Sequence, residues 1–296
     1  MILTRIVVAL RYLFKNTPVQ KFPITSKVYD RYAKYISRSL VVQNGRAEIS
    51  FKGLTLETNL DQLGVEPSLL EGTFEKQELG IFLANLSNYD VVIDIGANIG
   101  VYSALALNSN NFEGSVFAFE PNLETFQILN SNLEKYKRNQ PCATFLKAMA
   151  DIQGFIRIVN KEVPSAISIE HRSNLSQDRE LENQIEVTTL DTEFHNLFGS
   201  EAKIFIKIDV EGAEPLVVLG GKKLIETLKP DLLLEVSKEN SERVGCDWQK
   251  AAELLEENYE KCFILGPKGV ASRSSVYDSI KEVTSSAGLI SMYLTN

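Results

Sequence analysis

The stretch Val91-Val92-Ile93-Asp94-Ile95-Gly96-Ala97-Asn98-Ile99-Gly100 decides how the rest of the chain is read. Four apolar residues and one acid lead into a turn with two glycines, and Val101, Ala104, Leu105 and Leu107 follow at helical spacing. A short apolar run closed by a glycine turn is the pattern of a buried parallel strand. A strand, a tight turn and a helix in that order form the place where α/β proteins bind nucleotide-like ligands. Glycine permits φ > 0 and a close backbone approach that a Cβ would hinder.

Outward from this unit, strand and helix patterns alternate. Strands are expected at 91–95, 115–119, 143–148, 203–208 and 231–236, and helices at 99–109, 122–137, 214–228 and 247–258. Such alternation predicts a mostly parallel sheet with helices on both faces and right-handed crossovers. Residues 155–160 and 185–189 read as further strands, and the tail from Lys261 as short strands and turns. Before the first strand, residues 66–88 read as a helix. Residues 41–59 read as a hairpin around Asn44-Gly45, with a further short strand at Leu54-Thr55-Leu56-Glu57. The polar segment 161–183 interrupts the domain and reads as a loop covering substrate. These elements divide the chain into a basic N-terminal extension of helix and hairpin, 1–65, and an α/β domain, 66–296.

Composition bounds the function. With 296 residues, 44% of them hydrophobic, the chain can bury a large core. Cys142, Cys246 and Cys262 are odd in number and far apart, which suits a reducing, cytoplasmic setting and no metal-binding spacing. The net charge of −8 is uneven: residues 1–50 carry nine Lys/Arg against Asp30 and Glu48, hence +7, and the remaining residues carry −15. An acidic body argues against nucleic acid as a partner. The basic arm, whose apolar start is broken by Arg5 and Arg11, suits a helix packed on the domain or a frayed terminus, or contact with an anionic membrane surface. No run reaches the roughly 18 apolar residues that span a bilayer.

Four constellations carry chemistry. The turn lacks the middle glycine of a dinucleotide fingerprint, since Asn98 stands in Gly96-Ala97-Asn98-Ile99-Gly100, and this argues for a ligand without a phosphate there. Glu120, in Phe119-Glu120-Pro121, ends the second strand 24 residues beyond Gly96, where an acid can accept from both ribose hydroxyls of a nucleoside; it can also simply favour the next helix N-terminus. In Ile206-Lys207-Ile208-Asp209-Val210-Glu211-Gly212-Ala213-Glu214, alternation puts Lys207, Asp209 and Glu211 on one side of a strand end. Lys207 and Asp209 can be a structural ion pair, and Glu214 a helix-capping acid. Glu235 ends another apolar strand on the same edge.

With these residues in place, the chain resembles the FkbM-type S-adenosylmethionine-dependent methyltransferases. The likeness rests on Asp94-Ile95-Gly96-Ala97-Asn98-Ile99-Gly100, Phe119-Glu120-Pro121, Thr189-Leu190-Asp191 and the run Ile206 to Glu214, followed by Leu219-Gly220-Gly221, Pro230 and Glu235, and covers about residues 68–296. It implies a Rossmann-like, seven-stranded, mostly parallel methyltransferase sheet. It places the methionine part of the cofactor over Asp94, Gly96, Asn98 and Gly100, the ribose on Glu120, and adenine near Met149-Ala150-Asp151. It also brings Glu75 to a position where family members carry an acid ahead of the first strand. Many members have a histidine at the position of Ser237, so this chain lacks that base. His171 lies in the covering loop and His195 is expected on a helix surface.

The base is therefore expected to be a carboxylate, Asp209 first and Glu211 or Glu235 next. An alternative is that these three acids hold a divalent cation such as Mg²⁺, which is less favoured than a metal-free site. The resemblance implies methyl transfer to a sugar hydroxyl of a glycan, glycolipid or secondary metabolite. Two other readings are a Rossmann oxidoreductase and a non-catalytic module that binds a nucleoside or a membrane.

Overall fold

In the computed structural model, the described residues are 41–43, 46–59, 68–69, 72–157, 184–266, 269–285 and 288–296. The expected N-terminal helix, the Asn44-Gly45 turn and the loop 161–183 lie outside them. Two compact units divide the chain, Met1–Lys76 and Gln77–Asn296.

The first unit holds an antiparallel sheet of β1 (Val41–Gln43), β2 (Arg46–Phe51) and β3 (Leu54–Asn59). Alternation buries Ala47, Ile49 and Phe51 of β2 and Leu54 and Leu56 of β3. The edge of Phe51 meets the ring of Phe74 at 6.1 Å. The helix expected over 66–88 is interrupted: Gly72 (φ +69°) and Glu75 (φ +38°) turn the chain. Helix α1 runs only from Lys76 to Asn85, and a 3₁₀ turn follows at Leu86–Asn88.

The second unit is built on β4 (Val91–Ile95), buried at all its positions. Next come α2 (Val101–Asn108), β5 (Ser115–Phe119), α3 (Leu123–Tyr136), β6 (Cys142–Phe145), β7 (Lys147–Met149), β8 (Gly154–Arg157), β9 (Gln184–Thr188) and α4 (Leu190–Phe194). The chain continues with β10 (Ile204–Ile208), α5 (Glu214–Gly220), α6 (Lys222–Leu228), β11 (Asp231–Ser237), α7 (Lys238–Val244) and α8 (Gln249–Asn258). It closes with β12 (Lys261–Gly266), β13 (Gly269–Arg273), α9 (Val276–Ser285) and β14 (Leu289–Thr295).

The central sheet has the order β13-β12-β14-β11-β10-β4-β5-β6. From β11 to β6 all neighbours are parallel, and β14, β12 and β13 add antiparallel pairs. The α/β, mostly parallel architecture is as expected from the sequence. Among the described residues this sheet has eight strands where seven are expected: after β12 the chain turns back and adds β13 as an edge. One face of the sheet, with Ile93, Ile95, Ile206, Ile208, Leu232 and Leu234, forms a single core with residues of α4, α5, α6, α8 and α9. Each such side chain contributes roughly 1.5–3 kcal/mol by leaving water. On the other face Phe205 meets Phe82 of α1 at 4.9 Å, and Phe82 meets Tyr102 of α2 at 5.1 Å.

Three further expectations are corrected. The strand expected at 143–148 is two strands. β5 turns into α3 after Glu120, whose N–H takes the Phe145 carbonyl at 3.1 Å, so the central sheet offers the chain no further partner. Lys147 then pairs with Glu186 and Glu193 at 2.9 and 3.2 Å, and β7 joins β9 and β8 in a separate sheet. The helix expected at 214–228 breaks at Gly220-Gly221. A Cβ on Gly220 would stand 2.0 Å from the Ala150 carbonyl oxygen, and the Asp191 carboxylate accepts from the N–H groups of Lys223 and Leu224 to cap α6. Finally, the tail contains helix α9. Its signals were present in the chain: Ser275 Oγ accepts from Asp278 N–H at 3.0 Å, and Val276, Ile280 and Val283 are buried. Among the described residues no helix is long and apolar enough to cross a membrane.

Candidate active site

The carboxyl ends of β4, β5, β10 and β11 bring together residues that the chain spreads over more than a hundred positions. The turn after β4 is stitched to both neighbours: Gly96 and Ala97 N–H donate to the Phe119 carbonyl at 3.0 and 2.9 Å, and Asp209 N–H donates to the Ile95 carbonyl at 3.0 Å. Gly96 (φ +74°) passes so near β10 that only a glycine fits. Asn98 also has φ > 0 and is exposed. Gly100 (φ +86°) begins α2, and a Cβ there would meet Leu129 Cδ1 of α3 at 2.6 Å. Its glycine requirement therefore comes from helix packing as well as from the turn.

Asp94 is 1% exposed. Its Oδ2 accepts from Ser103 N–H and Ser103 Oγ–H at 3.2 and 2.7 Å, tying β4 to the first turn of α2. Its buried Oδ1 has no hydrogen-bond partner among the described residues. Burial raises its pKa, opposed first by the Lys207 charge. Ser103 carries no motif that would have singled it out in the sequence.

Glu120 is fixed at both oxygens. Oε2 accepts from Asn98 N–H at 3.0 Å and Oε1 from Asn122 N–H at 2.8 Å. Burial pushes its pKa up to about 7, against the pull of these two N–H groups. Its carboxylate thus binds the β4 turn to the start of α3, where Asn122 Oδ1 caps the helix through Thr125 N–H.

On β10, Lys207 stands beside Asp94 in the strand register, and its Nζ donates to Asp209 Oδ2 at 2.8 Å. Glu211 (φ +58°) is exposed, accepts from Asn240 Nδ2 at 3.3 Å and lies 3.7 Å from Arg243 Nη2. Gly212 (φ +114°) passes against the Asn240 carbonyl, where a Cβ would stand at 2.3 Å. Glu214 is 1% exposed. Its Oε1 accepts from Val210 and Gly212 N–H, both at 3.0 Å, while Oε2 is buried without a partner among the described residues. Burial pushes Glu214 up to about 7.

Glu235, half-buried at the end of β11, is pushed up to about 9, first by burial and then by the charges of Asp209, Glu214 and Glu211. Asp209, Glu211, Glu214 and Glu235 thus share one field. Asp151 is exposed after β7, and with Glu214 its charge adds to the burial that pushes the Cys246 thiol up to about 11. Glu75 lies in the first unit, half-buried before α1. His195 caps the C-terminus of α4, and His171 lies outside the described residues. Among the described residues no three acids, cysteines or histidines form a group that would hold a metal, Asp209, Glu211 and Glu235 included.

Residues 94–262, more than half of the chain, match the family model described as the methyltransferase FkbM domain. Among solved structures, a methyltransferase FkbM from Methylobacillus flagellatus KT is similar at 18% identity and TM-score 0.42, covering 70% of this chain and 44% of that one. The chain thus spans less than half the length of that protein. A SAM-dependent methyltransferase from Agrobacterium tumefaciens is 12% identical with TM-score 0.43, covering 86% and 72% of the two chains. M. jannaschii TYW2, solved in complex with AdoMet, is 12% identical with TM-score 0.38, covering 87% and 90%. No curated protein matches the chain.

Proposed function

Since the chain belongs to the FkbM methyltransferase domain family, we propose that it binds S-adenosylmethionine on the turn after β4 and methylates a hydroxyl of a sugar. The acceptor in this reading is a small molecule, glycan or glycolipid. The observation that carries the reading is the Glu120 carboxylate, held by Asn98 and Asn122 N–H at the end of the second strand beside the Gly96 turn. A carboxylate oxygen with one N–H bond keeps a lone pair for a further donor, and two such oxygens suit a vicinal diol.

The remaining residues fit that cofactor. S-adenosylmethionine, when bound, supplies an electrophilic methyl group on a cationic sulfur. Asp94, whose buried Oδ1 is unpartnered among the described residues, and the acids around Asp209 make the strand ends a negative surface suited to a cation. Gly96 and Asn98 shape the turn the methionine part would lie on, and Gly100 holds α2 behind it. Asp151 stands on the side assigned to adenine.

Among the three candidate bases, Asp209 suits the work best. Glu235 holds its proton near neutral pH and serves as a hydrogen-bond donor to an acceptor oxygen. Glu211 is engaged by Asn240 and Arg243. Asp209 has Lys207 on one oxygen and takes the acceptor proton on the other. The sugar acceptor rests on family analogy, a cytoplasmic site of action on the three scattered cysteines, and contact of the basic arm with a membrane surface on its charge.

Isothermal titration with S-adenosylmethionine and with NAD, followed by transfer of labelled methyl groups to glycan and lipid extracts, tests the reading. Binding of S-adenosylmethionine with label in a sugar-containing product supports it. Binding of NAD alone would make the protein an oxidoreductase, and cofactor binding without transfer a non-catalytic module.

A further inference from the structure

Lys207 is 7% exposed, and no other lysine or arginine is buried among the described residues. Its neighbours come from several elements. Asp94 on β4 and Leu233 on β11 flank it in register, and its Nζ lies 5.2 Å from the centre of the Tyr102 ring of α2. The ammonium donates to Asp209 Oδ2 at 2.8 Å. The side chain of Lys207 is 8% exposed and that of Asp209 28%. The lysine thus holds one carboxylate oxygen from beneath. The other oxygen accepts no hydrogen bond among the described residues.

A buried ion pair is a weak source of stability, because desolvating both charges offsets their attraction, and well-packed apolar replacements are often as stable. What such a pair supplies is orientation: a carboxylate with one oxygen fixed cannot rotate freely. The acids whose fields Asp209 shares, Asp94, Glu120, Glu211, Glu214 and Glu235, would otherwise repel it from this place.

We infer that Lys207 is a positioning residue for the proposed methyl transfer, holding the inner oxygen of Asp209 so that the outer oxygen meets the acceptor hydroxyl. The inference rests on the reading of Asp209 as base. It assigns Lys207 no contact with cofactor or acceptor, so its loss should slow turnover and spare cofactor affinity.

The test compares wild type with Lys207→Met in three ways: S-adenosylhomocysteine affinity by titration, turnover of tritiated S-adenosylmethionine on a glycolipid extract, and the position of Asp209 in crystals of each. Lys207→Met is expected to bind S-adenosylhomocysteine within about threefold of wild type, to turn over about 10- to 100-fold more slowly, and to show Asp209 displaced. Wild-type turnover, or affinity lost in proportion to turnover, would overturn the inference. If wild type binds the cofactor product but transfers nothing, the methyltransferase reading falls. The crystals then decide the role of Lys207, and an unmoved Asp209 overturns it. A variant that does not fold is replaced by Lys207→Gln, judged by the same three outcomes.

Discussion

Gly96 and Asp209 touch through their backbones: a Cβ on Gly96 would stand 1.8 Å from the Asp209 carbonyl oxygen. The turn of the proposed cofactor site and the strand end that carries the proposed base are thus held in backbone contact. Gly96→Ala is expected to lower stability by more than about 4 kcal/mol, through that clash and the φ of +74°. Urea unfolding checks this. A loss below about 1 kcal/mol would mean that the two strand ends can separate.

Gly100 is a different case. The atoms its Cβ would meet, Leu129 Cδ1 at 2.6 Å and Leu133 Cδ2 at 3.1 Å, are ends of flexible side chains. Gly100→Ala is therefore expected to lose about 2 kcal/mol, chiefly from its left-handed backbone, and to keep S-adenosylmethionine affinity within about threefold. Thermal unfolding and titration on the same sample separate the two effects. Loss of affinity without loss of stability would return Gly100 to a direct cofactor role.

Glu120 links pH to both stability and binding. Its folded pKa, pushed up to about 7 from an ordinary 4.5, means that the folded state holds the proton more tightly than the unfolded chain. Its contribution is greatest below about 4.5 and is lost as pH rises to about 7. Glu120→Gln should therefore flatten the fall in unfolding temperature between pH 5 and pH 8, leaving the parts due to the other carboxyl groups raised by burial, Glu214, Glu235, Asp94 and Glu211. The same variant should weaken S-adenosylmethionine binding about 10- to 100-fold at pH 8, where the carboxylate is ionised, and less at pH 6. An affinity loss equal at both pH values would show that the charge of Glu120 is not what the ligand meets.

Glu235 and Asp209 can be told apart by charge-neutral replacements. With its pKa pushed up to about 9, Glu235 is protonated at pH 7, so Glu235→Gln should keep at least about half of wild-type turnover there. Asp209→Asn should lose about 10²- to 10⁴-fold, the usual contribution of a positioned base. Initial rates of methyl transfer at pH 7 decide it, and the reverse ranking would move the base to Glu235.

The residues of the candidate site stand out by local pattern. Asp94 lies near the end of an apolar strand with Gly96 and Asn98 in the turn after it, Glu120 ends a second apolar strand, and Asp209 ends a third. Acids at such positions are conspicuous because charge in a buried strand is costly. Roles were less legible than positions. Glu211 reads as a neighbour of Asp209 in sequence, yet its φ of +58° carries it to Arg243 and Asn240 of α7. Gly100 reads as a ligand-facing glycine, yet helix α3 lies against it. Helix α9 carried a cap and an apolar spacing that short strands on either side obscured.

By itself the sequence determined the α/β class, the order of the strands along the chain and which residues end them, because hydrophobic period and turn chemistry are local. Only the tertiary structure decided which strand ends are neighbours, where β6 gives way to β7, and why α5 and α6 are separate. It also decided which carboxyl groups are pushed up toward neutral pH. Those outcomes depend on burial and on charges brought close by the fold: Glu235 is an ordinary acid until burial, and then the charges of Asp209, Glu214 and Glu211, push it up.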